Sequence, residues 1–377
     1  MRSIIKLGGI LLCAAVMCAC SGKADTDGFS LESAEPVGQM ELLYATEFSV
    51  DHYGNGIFLV TVSDGGKYLL VPENEAVEEI PDNITLIRTP GENIYLAASS
   101  AMDMFFGIGA EGNIRATATL ERDWALPRVK EAMANEDILY AGKYSAPDYE
   151  LILSEGCSIA IESTMIYHNP EVKEQLERLG IPVLIERSSY ESHPLGRLEW
   201  VKLYGLLTGR EEEAEQLFAE QCELLQSITQ SGSTGKTAAF FYISSSGYAV
   251  VRKPGDYVSR MIELGGGEYI FTSDDLNVEE NAQSTMNMQF ESFYAGAAEA
   301  DVLIYNSTID GGMDTLSQLL EKNSLLSEFK AVSSGDVWCT DKNMFQQTTG
   351  AAEVIRDLNL IFTGEAEDEM EYFYRLK

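Results

Sequence analysis

Positive charge and histidine are both scarce in this chain of 377 residues, and each shortage excludes a class of partner. The 26 lysines and arginines face 60 aspartates and glutamates, so the formal net charge is −34. Because a phosphate backbone is bound by clustered cations, we expect no nucleic-acid partner, and we interpret the acidity as a source of solubility. The three histidines, His52, His168 and His193, fit capping or surface roles better than ligation. Bare zinc or manganese would take three or four histidine and carboxylate ligands, so we expect no metal site.

Cysteines are few, and the signatures of common enzymes are absent from the sequence. After Cys20 the cysteines are Cys157, Cys222 and Cys339, an odd number at wide spacing. They indicate neither a disulfide framework nor a zinc site, and we expect buried thiols. There is no G-x-S-x-G elbow, P-loop or H-E-x-x-H motif, and the triple glycine at 265–267 follows a helix-like segment, not a strand. The sequence therefore predicts a protein that is not an enzyme and needs no cofactor.

Long apolar runs are also missing, apart from a short one at the start. Arg2 and Lys6 lead into an apolar run at residues 7–19, which is shorter than the roughly 20 residues that span a bilayer. The following "MCACSG" resembles a bacterial lipobox in which Cys20 becomes the lipid-bearing N-terminus, although Met17 stands where leucine is usual. We expect residues 1–19 to be a cleaved signal peptide and 20–39 a flexible spacer. The protein would then be exported and lipid-anchored to the outer face of the cell membrane, or periplasmic; a soluble secreted protein is the alternative.

Residues 40–83 predict a small antiparallel β element. Apolar and polar residues alternate there around Asn55-Gly56 and Asp64-Gly65, dipeptides that supply the positive φ angles of hairpin turns.

From residue 84 onward the sequence predicts two α/β units separated by a long helix. Strand-like runs such as "CSIAIES" and "IPVLIE" alternate with helix-like segments over residues 84–190, which implies a parallel sheet covered by helices. A long helix signal follows at 191–230, with Pro194 in its first turn and a capping box in "TGRE", residues 208–211, that restarts or bends the helix. Alternation resumes over 236–345. Two helices, "AAEVIRDLNLIF" and "EDEMEYFYRL", are predicted in the C-terminal part, 346–377.

The two α/β units also repeat each other weakly. "SEGCSIAIEST" at 154–164 aligns without gaps with "AEADVLIYNST" at 298–308. Each follows a predicted helix that opens with an aromatic residue and a glutamate, Tyr149-Glu150 and Phe290-Glu291. This pattern indicates an internal duplication.

Taken in order, these segments resemble the substrate-binding proteins of ABC importers for iron chelates, haem and cobalamin. The resemblance covers residues 86–360 and rests on "PDYELILSEGCSIAIES", "LGIPVLIE", "EWVKLYGLLTGREEEAEQLF" and "MIELGGGEYIF". It implies two Rossmann-like α/β lobes joined by a single long helix, with the ligand held in the cleft between them. A single helical connection is stiff, so we expect the lobes to close by small angles.

The resemblance also implies a permease partner and two docking residues. In the family, one glutamate at the start of a helix in each lobe meets arginines of the membrane permease, and those positions fall on Glu150 and Glu291 here. The partners would be a permease dimer with its ATPase subunits, met by a monomeric binding protein. The alternative is that each glutamate merely favours a helix N-terminus through the helix dipole.

Ligand residues are expected where strands end at the cleft. The candidates are Ser99, Ser100, Tyr144, Ser163, Thr164, Arg187, Tyr190, Ser245, Tyr248, Asn306, Trp338 and Gln346. Arg187 is the best-placed cation for an anionic ligand. The resemblance favours an iron chelate, siderophore or haem, with a corrinoid second; a surface ligand sensor without a transport role is the alternative from another class.

Overall fold

The computed structural model describes residues 28–78, 80–230, 232–281 and 283–377. The predicted signal peptide and Cys20 lie outside these residues. Within the described ranges, no helix is long and apolar enough to cross a membrane.

The chain begins with a five-stranded sheet, which we call the N-terminal sheet. Its strands are β1 (Gly38–Gln39), β2 (Phe48–Gly54), β3 (Ile57–Val62), β4 (Lys67–Pro72) and β5 (Thr85–Thr89), paired in that order. The first four are antiparallel, with a tight turn at Asn55-Gly56 where both residues have positive φ. The run at β5 pairs in parallel with β4, so the sheet continues past the boundary predicted at residue 83.

The N-terminal lobe is a five-stranded parallel sheet with helices on both faces. Its elements are β6 (Ile94–Leu96), α1 (Ser99–Gly107), β7 (Ile114–Thr117), α2 (Pro127–Ala134), β8 (Leu139–Tyr140), the hairpin β9 (Gly142–Lys143) and β10 (Ala146–Pro147), α3 (Tyr149–Ser154), β11 (Ala160–Ser163), α4 (Pro170–Arg178) and β12 (Val183–Glu186). The sheet order is β12-β11-β6-β7-β8. β12 is buried throughout, as expected of a parallel strand that is covered on both faces.

Three consecutive helices occupy the region predicted as one long helix with a restart or bend at residues 208–211. They are α5 (Pro194–Glu199), α6 (Val201–Thr208) and α7 (Glu211–Thr229). The predicted capping box is wrong: the Thr208 hydroxyl donates to the Tyr204 carbonyl, and α6 ends at Gly209 with φ 69°. Helix α7 folds back closely on α6, since a Cβ on Gly205 would lie 2.9 Å from the Cβ of Ala214. Its 19 residues make it about 28 Å long.

The C-terminal lobe carries a second, mixed sheet. Its elements are β13 (Thr237–Ile243), β14 (Ala249–Arg252), α8 (Tyr257–Leu264), β15 (Glu268–Tyr269), α9 (Ser273–Leu276), β16 (Thr285–Met288), α10 (Phe290–Ala297), β17 (Val302–Tyr305), α11 (Leu316–Lys322), α12 (Lys330–Ser334), β18 (Val337–Thr340), α13 (Ala351–Thr363) and β19 (Phe373–Arg375). The order is β16-β14-β13-β17-β18-β19, with β15 also on β13. Strands β13, β17 and β18 are parallel neighbours, just as β6, β11 and β12 are in the first lobe.

The last predicted helix is instead strand β19. It pairs antiparallel with β18, because that edge strand offers free backbone hydrogen-bonding groups and Phe373 fits into the core. A single large core unites the N-terminal sheet, α1, α5 to α7, α13 and one face of the C-terminal sheet.

Candidate functional site

A cavity of about 700 Å³ lies between the two lobes. The N-terminal lobe lines it with residues 122–127 and Lys130, which belong to the loop after β7 and the start of α2. The C-terminal lobe lines it with Thr308 and Gly311, after β17, and with residues after β18. These are carboxyl ends of parallel strands, the edge at which open α/β sheets bind ligands.

The lining of this cavity is polar and carries three cations, Arg122, Lys130 and Lys342, against two carboxylates, Asp123 and Asp341. Arg122 lies 3.7 Å from Asp123, an exposed ion pair of little strength. Within the described ranges, neither lysine has a carboxylate within 4.0 Å. A surplus of positive charge here contrasts with the net charge of −34 for the whole chain. Such a lining suits an anionic group.

Sequence reasoning missed most of these cavity residues. Arg122 and Asp123 follow β7 in an exposed turn, and Lys130 is an ordinary polar residue of α2. The only feature of the sequence that could have indicated this part of the cavity is that residues 118–126 follow the carboxyl end of a buried strand.

Gln346 is a predicted site residue that does line the cavity. Its side-chain oxygen accepts from the Ala125 backbone N–H at 2.6 Å, and its amide donates to the Asp123 carbonyl at 2.9 Å. A few residues later, Thr349 donates twice to the Asp103 carboxylate in α1, at 2.8 and 2.6 Å. These bonds join the lobes along one side of the cleft.

Several predicted serines and threonines lie at carboxyl strand ends of the first lobe. Ser99 is exposed in the first turn of α1, and the Ser100 hydroxyl donates to Glu186 at 3.2 Å. Ser163 and Thr164 follow β11, where the Ser163 hydroxyl accepts from the Met165 N–H and starts a 3₁₀ turn. All four are near the cleft edge, yet none lines the cavity just described.

Three further candidates occupy turns. Tyr144 lies between β9 and β10, and Ser245 and Tyr248 lie between β13 and β14. Ser245 is exposed, whereas both tyrosines are half-buried.

Three predicted ligand residues are already engaged within the protein. Trp338, in β18, is 0 % exposed, so its ring is covered by the protein in this structure and its ligand contact stays a prediction. Asn306 is 4 % exposed, and its side-chain oxygen caps the turn at Ser307–Asp310. Arg187 is not a free cation, since its guanidinium donates to the Glu47 carboxylate at 2.8 Å.

Glu150 and Glu291 occupy matching positions in the two lobes. Each is the second residue of a helix, α3 or α10, that leads into a central parallel strand, β11 or β17. Both side chains are exposed. The geometry therefore agrees with two equivalent acidic points, one on each lobe.

Glu162, in β11, is a buried carboxylate without a partner. It is 0 % exposed, and neither carboxylate oxygen has a hydrogen bond in the described chain. Burial raises the pKa of Glu162 to about 8. Its side chain lies near Tyr95, whose hydroxyl also has no partner among the described residues.

Comparison with known proteins places this geometry in context. Residues 95–344 match the model of the family described as periplasmic binding protein. Two uncharacterised lipoproteins of Methanocaldococcus jannaschii are each 25% identical, one over 80% of this chain and 73% of its own length, the other over 92% and 89%.

Solved structures show the same fold at lower identity. A periplasmic binding protein of Veillonella parvula has a TM-score of 0.60 at 16% identity, covering 74% of this chain and 93% of its own. A periplasmic haem-binding protein of Pseudomonas aeruginosa scores 0.58 at 15% identity, covering 76% and 98%. The petrobactin-binding protein YclQ of Bacillus subtilis scores 0.58 at 13% identity, covering 83% and 99%.

Proposed function

The chain belongs to the periplasmic binding protein family, and from that premise we propose that it is the substrate-binding lipoprotein of an ABC importer. It captures an anionic iron chelate, a siderophore or haem, between its lobes and delivers it to the permease. Because the matching family is one of binding proteins, the proposed role is ligand binding and not catalysis. The single observation that carries the choice of ligand is the cation-lined cavity between the lobes of a strongly acidic protein.

Physical chemistry supports an anionic ligand over a neutral one. Lys130 and Lys342 approach the cavity from opposite lobes, so an anion between them would contact both and draw the lobes together. A volume of about 700 Å³ is within the range of small-molecule sites. Solved proteins of this fold that are named for haem and for petrobactin support the same class.

Tryptophan fluorescence of the protein lacking residues 1–20 tests the proposal. All three tryptophans are at most 2 % exposed, but among them only Trp124 lines the cavity. We expect haem, a ferric catecholate or a ferric hydroxamate to quench the fluorescence saturably, and Trp124→Phe to remove most of that signal. Saturation by cyanocobalamin alone would favour the corrinoid alternative, and silence with all four ligands from folded protein would favour a sensor.

Lysine variants provide the matched charge test. Lys130→Ala with Lys342→Ala should weaken binding of the anionic chelate by about tenfold or more, as two charge-assisted contacts are lost. Lys173→Ala removes a lysine of α4 that pairs with Glu177 outside the cleft, and should leave affinity unchanged. Equal effects of both changes would contradict a role for the cavity.

The docking role of Glu150 and Glu291 belongs to the same proposal. Their equivalent, exposed positions support charge-assisted pairing with arginines of a symmetric permease. Changing both to alanine should abolish uptake by cells while the purified variant binds its chelate normally. Loss of chelate binding would contradict the assignment.

A further inference from the structure

The N-terminal sheet reaches the edge of the cleft. It lies outside residues 95–344, the part that matches the family model. The loop before β2 and the turn after β3 nevertheless contact the carboxyl ends of β11 and β12. The sheet therefore contributes side chains at the edge where the fold binds ligands.

The first contact fixes Arg187 against an aromatic ring. Its Nε donates to the Glu47 carboxylate at 2.8 Å and to the Ser63 hydroxyl at 3.0 Å. Only 14% of the Arg187 side chain and 17% of the Glu47 side chain are exposed. The guanidinium lies 4.4 Å from the centre of the Tyr190 ring, close enough for a cation–π contact.

The second contact fixes Tyr167, on the 3₁₀ turn that follows β11. Its hydroxyl donates to the Asp64 carboxylate in the turn after β3. Both rings stay open to solvent, since Tyr167 is 45% exposed and Tyr190 is 43% exposed. Two tyrosines are thus held in place by residues of the added sheet while part of each ring remains uncovered.

We propose that Tyr167 and Tyr190, positioned by the N-terminal sheet, form a second ligand subsite that takes a planar conjugated group. This inference rests on the proposed function. Glu47 neutralises Arg187, so this surface offers ring faces and hydroxyls in place of a free cation. Neither tyrosine lines the lysine-lined cavity, so the ligand class that follows from both proposals has a flat aromatic or macrocyclic part for the tyrosines in addition to anionic groups for the lysines.

Affinity for two kinds of ferric chelate tests the subsite. Tyr190→Ala should weaken binding of a ferric catecholate, whose rings are planar, by about tenfold, while binding of a ferric hydroxamate without rings stays unchanged. Tyr190→Phe keeps the ring and should retain most of the affinity.

The positioning role of the sheet has its own test. Glu47→Gln should weaken catecholate binding several-fold and add little to Tyr190→Ala, because both changes disturb one unit. The matched control is Glu155→Gln, which breaks an ion pair of the same 2.8 Å length with Arg115, at the end of α3. Glu155→Gln should change neither the affinity for the catecholate nor the affinity for the hydroxamate.

The outcomes separate the two proposals. If the protein binds both chelates and Tyr190→Ala leaves both affinities unchanged or lowers both equally, the subsite is wrong and the proposed function stands. Binding of the hydroxamate alone also overturns the subsite. If the folded protein binds no chelate, the proposed function fails, and the subsite fails with it.

Discussion

Glu199, in α5, holds the N-terminal sheet to the connecting helices, and its replacement by glutamine should release that sheet. The carboxylate is 0 % exposed and accepts hydrogen bonds from the backbone N–H groups of Leu43, Tyr44 and Ala45 at 2.8 to 3.0 Å. Lys202 approaches the same carboxylate at 3.3 Å. Three consecutive backbone donors thus converge on one buried side chain that can only accept.

Glutamine has the same shape but turns one acceptor into a donor. Even with the NH₂ group at the Oε1 position, which accepts from Leu43 and faces Lys202, two charge-assisted contacts are lost, each worth roughly 1.5 to 3 kcal/mol. We therefore expect Glu199→Gln to weaken docking of residues 38–47 by about 3 to 5 kcal/mol. At about 3 kcal/mol, local opening of residues 38–47 becomes more than about a hundredfold more frequent.

Limited proteolysis measures this opening directly, because cleavage of a transiently opened segment follows its population. We expect cleavage within residues 38–47 to accelerate by about a hundredfold. The control is Glu174→Gln on α4, an exposed ion-pair residue, which should not change the rate. A Glu199→Gln rate within about threefold of the wild-type rate would refute the reasoning, since it would mean that these bonds add almost nothing to docking.

Three other predictions concern protonation and motion. Because the folded pKa of Glu162, about 8, lies above its ordinary value of 4.5, the folded state holds this proton longer and stability should fall as pH rises between those values. Glu162→Gln should make the free energy of unfolding in urea nearly independent of pH between 4.5 and 8, and should raise it at pH 8 by on the order of 4 kcal/mol. The same pH dependence in the variant and the wild type would contradict this prediction. Burial lowers the pKa of His193 to about 4, so the free energy of unfolding should fall as pH drops below about 6.5. An NMR titration of the imidazole measures this pKa directly. A midpoint near 6.5 would be inconsistent with the packing of His193 against Tyr44. Crystal structures with and without chelate should differ by a small lobe rotation, and tens of degrees would contradict a stiff α7.

Local pattern alone determined much of the architecture. Buried parallel strands such as β11, β12 and β17 are short apolar runs, and the Asn55-Gly56 turn needs positive φ, so both are visible without any tertiary information. The order of these segments was sufficient for two α/β lobes and a helical connection, and for the equivalent glutamates Glu150 and Glu291.

Local pattern was insufficient where a partner decides the structure. The residues of β19 were predicted to form a helix, but in the structure they pair with the open edge of β18. A restart or bend of the helix at residues 208–211 was predicted, and α6 does end at Gly209; the close packing of α7 on Gly205, however, depends on the tertiary structure.

The site itself was decided mostly by tertiary structure. Arg187 looked like a free cation at a strand end, yet it is paired with Glu47, 140 residues earlier in the chain. Glu199 reads as a surface helix residue, yet it binds backbone groups 154 to 156 residues away. The sequence by itself determined which segments are strands and helices, because burial and turn geometry follow from neighbouring residues. Only the tertiary structure decided which charges are free to meet a ligand, because neutralisation depends on partners far away in the chain.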